Sequence, residues 1–187
     1  MSSTGLLSAL KSASIAATAM CVSACGSSEQ AADAPPATVQ NPAAKADMIS
    51  LVVDIRDAAR PCDESMALVV DGIKKEDTVG VYKNLEKAEP ACASARSTIF
   101  NLTTPPTIVG QRGENLKKAL VVCENAYELK RSLAAELKPY LLGNVQQDTS
   151  SQLRAKIEKM AEDQSLCGNA LKEVQHAFGV TDADIGL

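Results

Sequence analysis

From Asn41 onward, apolar residues recur at alternating intervals of three and four. One stripe runs through Met48, Val52, Ile55, Ala59, Cys62, Met66, Val69 and Ile73. A second takes in Thr78, Val81, Leu85, Ala88, Cys92, Ala95, Ile99 and Leu102. Leu116, Leu120, Cys123, Tyr127, Lys130, Ala134, Leu137 and Leu141 make the third, and Leu153, Ile157, Met160, Gln164, Cys167, Leu171, Val174 and Phe178 the fourth. Side chains three and four apart share one face of a helix, whereas a strand would repeat every second residue. The stripes therefore predict four long amphipathic helices. Their mean spacing of about 3.5 predicts a left-handed supercoil.

Signals at the ends of the stripes agree. Asn41-Pro42 offers an N-cap followed by the residue best tolerated at the first helical position. Thr149-Ser150-Ser151-Gln152 fits a capping box, while Gly143 and Gly179 stand where a helix end asks for a left-handed residue. Thr103-Thr104-Pro105-Pro106 breaks the chain between the second and third stripes. Pro61 and Pro90 interrupt their stripes and predict a kink at each, or a break near Pro61; Pro139 interrupts the third near its end. Short loops around residues 75–77 and 143–148 make successive helices antiparallel neighbours. The expected fold is all-α, an up-down-up-down four-helix bundle with heptad packing over residues 42–187.

Each stripe carries one cysteine. Cys62 and Cys92 are equidistant from the first turn, near residue 77, and Cys123 and Cys167 from the turn near residue 145. In antiparallel helices that symmetry brings partners to one height, as a disulfide's short Cα separation requires. The expected pairs are Cys62–Cys92 and Cys123–Cys167. Cys92 and Cys123 are also symmetric about residue 107, which leaves Cys62 with Cys167 as the rival connectivity. A third arrangement gathers all four thiolates around zinc or copper(I), although no C-x2-C spacing is present.

Ahead of the bundle, a short apolar run from Ser12 to Ala24 leads into Val22-Ser23-Ala24-Cys25, followed by Gly26-Ser27-Ser28. A run of this length is too short to span a bilayer, which takes about 20 residues. The pattern resembles the lipobox of bacterial lipoproteins. That resemblance implies a signal peptide over residues 1–24, cleavage before Cys25, and a lipid on the Cys25 thiol and new N-terminus. Gly and Ser after the cysteine, rather than Asp, imply by the same resemblance an outer-membrane destination facing the periplasm. The alternative is an ordinary secretory signal cut after Ala17-Thr18-Ala19, releasing a soluble protein. Residues 25–41, rich in Ala and Pro, read as a disordered tether. Export also supplies the oxidising compartment in which disulfides persist.

Composition narrows the choice of function. The chain carries 19 basic and 23 acidic side chains, and cleavage removes only Lys11, leaving a net charge of −5. Such a chain is not built to bind nucleic acid or to cling electrostatically to anionic lipid. With no Trp and few other aromatics, stacking platforms for sugars or bases are not expected.

Candidate chemistry is sparse. His176 is the only histidine. Met48 and His176 occupy places similar to the haem ligands of cytochrome b562-type bundles, but His176 falls about 155° from the centre of its stripe and points to solvent. Lys130 and Gln164 stand at core positions, read as a snorkelling lysine and a register-fixing glutamine, or together as a polar pocket in the second hairpin. No nucleophile–base pairing, zinc-protease motif or phosphate-cradling loop is present. The expected protein is a non-catalytic, membrane-anchored interaction or structural module with a protein partner and no cofactor. The alternative is a metal or cofactor carrier built on the cysteine layer.

Overall fold

A computed structural model describes residues 41–143 and 149–186. The signal segment, Cys25 and nearly all of the tether fall outside the described residues, as do the side chains of the expected capping box at Thr149, Ser150 and Ser151. Among the described residues four helices follow one another: α1 (Pro42–Lys75), α2 (Thr78–Asn101), α3 (Gly110–Leu141) and α4 (Thr149–Ala177), and a short 3-10 helix (Asp182–Ile185) comes after them. No strand occurs among the described residues. The fold is the up-down-up-down four-helix bundle that the stripes predict.

Local chemistry sets the ends. The Asn41 side chain accepts from the Ala43 amide at 3.1 Å with Pro42 in the first turn, and Asp77 caps α2 by accepting from the Gly80 amide at 2.9 Å. Gly143 and Gly179 have φ of 78° and 65° and turn the chain out of α3 and α4. At the first turn Glu76 takes the left-handed conformation instead, with its amide bonded back to the end of α1. Gly72 is fixed by packing, because a Cβ there would lie 2.7 Å from a methyl of Val81.

The expected break near Pro61 does not occur. α1 runs through Pro61, α2 through Pro90 and α3 through Pro139. A proline forfeits one backbone bond to the carbonyl four residues earlier. Burial of long apolar stripes on either side outweighs that loss, because each stripe continues in phase past its proline.

Side chains of α1, α2 and α3 fill the core as the heptads require, from Met48 to Val69, Val81 to Ile99, and Leu116 to Leu137. Cys62–Cys92 staples α1 to α2 across 30 residues, and Cys123–Cys167 staples α3 to α4 across 44. The rival connectivity is thereby set aside.

The fourth helix departs from the expectation. Successive helices pack along their lengths, but α1 scarcely touches α4, so the bundle is open along that edge. Among the described side chains of the α4 stripe, the buried ones are Cys167, Val174 and Phe178, all in its C-terminal half. Ile157 and Met160 are half-buried, Gln164 is exposed, and Leu166 is 50% exposed. α4 packs fully against α3 alone, whereas α1, which shares the open edge, keeps its stripe from Met48 to Val69 in the core.

Candidate functional site in the groove between the first and fourth helices

Where α1 and α4 part, they leave a groove of about 460 Å³. Its apolar lining comes from Val52, Ile55 and Ala59 of α1, Leu171 and Cys167 of α4, Tyr127 of α3 and Ile185 of the C-terminal 3-10 helix. Charged and polar side chains of both signs stand around this lining, among them Arg60, Glu64, Gln164, Lys172 and Asp182. Gly168 also lines the groove, and a Cβ on it would meet nothing within 4 Å. An apolar lining ringed by polar groups is the general pattern of a recognition cleft.

One wall is held by a buried charge. The Lys130 ammonium donates to Oδ1 of Asp63, and the Tyr127 hydroxyl donates to Oδ2 at 3.0 Å. The same ammonium lies 4.5 Å from the centre of the Tyr127 ring, within cation–π range. The pair is asymmetric: the Lys130 side chain is 3% exposed and that of Asp63 is 39% exposed. Burial holds the Tyr127 phenol well above the ordinary tyrosine range, with the Asp63 charge and hydrogen bond acting in the same direction. Lys130 therefore does not snorkel. It lies across the core from α3 to an acid on α1, cross-linking two helices that are not neighbours in sequence.

Gln164 does not join it. The expected core glutamine is exposed and lines the groove from α4, so the polar pocket expected within the second hairpin is not formed. The polar cluster straddles α1 and α3 instead. No pattern in the sequence singles out Asp63, because it sits one place off the α1 stripe beside Cys62. The available signal is Lys130 itself, since a lysine at a core position needs an acceptor.

The C-terminal segment closes one end of the groove. Phe178, Val180 and Ile185 are buried, and Arg56 of α1 donates to the Ile185 carbonyl. Asp184 completes a capping box with Thr181 and pairs with Lys45 at 3.0 Å. Those hydrogen bonds, from Thr181 first and then Lys45, hold the Asp184 carboxyl down at about 2.

The other candidate residues are spread apart. Met48 is wholly buried and His176 exposed, as the heptad phase requires. With Cys62, Cys92, Cys123 and Cys167 joined in two disulfides, none of them offers a thiolate. Among the described residues no group of three or more His, Cys, Asp or Glu side chains could hold a metal ion. No described helix is long and apolar enough to cross a membrane.

No family model matches the chain, and no curated protein or solved structure matches it either.

Proposed function

We propose that this chain is a lipid-anchored, disulfide-stapled helical bundle of the cell envelope, held at the outer membrane facing the periplasm. It works there as a non-catalytic interaction module, receiving the apolar face of a partner helix in the groove between α1 and α4. The observation that carries this reading is the groove itself. It follows the seam left by two parted helices, and it is apolar inside and charged around, as a groove that receives an amphipathic helix is. Anchoring is supported by Val22-Ser23-Ala24-Cys25 and the Ala/Pro-rich stretch that follows. The non-catalytic reading is supported by the polar chemistry at the groove. Asp63, its most enclosed carboxylate, is already engaged by Lys130 and Tyr127, while Glu64 and Asp182 around it are exposed to solvent.

Gly168→Leu tests it. The new side chain enters open groove space without a clash at Cβ, and it replaces the poorest helix former apart from proline. In the full-length exported protein, cross-linked adducts that form with the wild type should disappear with Gly168→Leu. They should persist with Val79→Leu, at an exposed site in α2. Identical adducts in all three proteins would sink the groove as the docking site.

A further inference from the structure

We infer that the end of the bundle carrying Asn41 also docks on the membrane, inserting Phe100 and Val109 into the bilayer interface. The inference rests on Cys25 carrying lipid. Three contacts establish which groups share that end. Lys45 in the first turn of α1 pairs with Asp184 of the C-terminal segment, Asp47 accepts from Thr107 of the α2–α3 loop, and Arg112 of α3 lies 5.3 Å from the Phe178 ring. The start of α1, the end of α2, the start of α3 and the C-terminus therefore lie together. The anchor enters at the same place. Asn41 follows Cys25 by 16 positions, a stretch that reaches no farther than about 55 Å at full extension. α1 itself runs about 50 Å, so the opposite end meets the lipid only with the tether drawn out almost to its full length.

The near end presents apolar side chains that the fold does not use. Phe100 is 65% exposed and Val109 is 73% exposed, although Ile99 and Ile108 beside them are buried. Phe100 and Val121 line one shallow hollow together with Leu102 and Leu120. The chain has only two phenylalanines, and it leaves one of them in water at the end its tether brings to the membrane. Lys117, at the rim of that hollow, pairs with Glu114 at 2.9 Å, and Glu124 is the other charged residue lining it, so the hollow itself carries no net positive charge. Contact of this kind works through apolar burial and is indifferent to lipid charge.

The absence of tryptophan supplies the assay. Phe100→Trp and Val109→Trp each place a single fluorophore at the docking end, and Val79→Trp places one at a site 66% exposed at the opposite end. Each exported full-length protein is reconstituted on zwitterionic phosphatidylcholine vesicles, with and without brominated acyl chains, and its mass is measured in parallel. The expected result is blue-shifted emission from the Phe100→Trp and Val109→Trp proteins that brominated lipid quenches strongly, with the emission of Val79→Trp unaffected. Adding anionic lipid should change nothing. Acylated Phe100→Trp and Val109→Trp proteins whose emission is neither shifted nor quenched overturn the docking while the anchor stands. Unacylated protein that is still quenched by added vesicles upholds the docking and removes the anchor. A blue shift that follows protein concentration without quenching assigns the patch to a protein interface and overturns the inference.

Discussion

The Asp63–Lys130 pair makes the sharpest energetic prediction, because its two partners are buried so unequally. Lys130 is 3% exposed and Asp63 is 39% exposed. Asp63→Ala strands an ammonium in the core with only the Tyr127 ring beside it. Breaking a fully buried pair from one side costs about 3–5 kcal/mol. Here the carboxylate's place opens toward the groove and water can reach part way in, so the expected loss is about 2–3 kcal/mol. Lys130→Met removes the charge, keeps most of the volume, and leaves Asp63 with both the groove-side water and the Tyr127 hydroxyl. Its expected effect is within about 1 kcal/mol of zero. The double variant should recover most of the Asp63→Ala loss, a coupling of about 1–2 kcal/mol. Urea unfolding of the unreduced protein reads all three. With m-values of about 1–3 kcal/mol per molar, Asp63→Ala should lower the midpoint by about 0.7 M or more. Equal losses in the two single variants, or no recovery in the double, would refute the assignment of the cost to a stranded lysine.

Other perturbations separate the parts of the structure. Removing Cys123–Cys167 with a pair of serines reopens a 44-residue loop, a loss of about 4 kcal/mol by the chain-entropy model. Because α4 leans on α3 and hardly touches α1, amide exchange should accelerate chiefly in α4; a uniform rise along all four helices would contradict that. Gly168→Ala, at an exposed helical site with open space at its Cβ, should stabilise by about 0.5–1 kcal/mol in the same urea assay, and a loss would show that the site is crowded. The Tyr127 phenol is raised above its unfolded value, so its contribution is complete below about pH 10 and is lost as the pH rises beyond it. A spectrophotometric difference titration of wild type against Tyr127→Phe that showed an ionisation step near pH 10 would contradict this. For Asp184 the sign is opposite. Its carboxyl is held at about 2, so the clasp to Thr181 and Lys45 persists above the ordinary carboxylate range and releases as the pH falls through about 2. Release of the C-terminal segment already at pH 4, followed by NMR, would exclude that clasp.

Much of the bundle is legible in the sequence because the stripes of its first three helices are buried along most of their lengths. In α1, Met48, Val52, Ile55, Ala59, Cys62, Met66 and Val69 all lie in the core where the stripe puts them, and only Ile73 at the end is half-exposed. Equal distances to each turn point to the observed disulfide pairing but allow the rival through Cys92 and Cys123 as well, and the folded bundle decides between them. The α4 stripe misleads for a physical reason. Periodicity says which face of a helix is apolar, but not whether two neighbours or one will cover it. On that basis the stripe puts Gln164 in the core, yet it is exposed beside the open seam. Pro61 carries a local signal for a break, and the packing of apolar residues on both sides takes the helix through it. The candidate site is the least legible part. Its groove exists only because α1 and α4 separate, and Asp63 lies off its stripe, so no spacing rule joins it to Lys130 some 67 residues away. Lys130 itself is visible as an anomaly, and the anomaly marks the right place to look.

The central claim is an anchored, doubly stapled bundle, and intact mass of the natively exported protein tests it most directly. The account predicts cleavage before Cys25, added acyl mass at that residue, no free thiol before reduction, and four alkylated cysteines after it. A chain that begins elsewhere without lipid, or that shows Cys62, Cys92, Cys123 and Cys167 reactive before reduction, would contradict it.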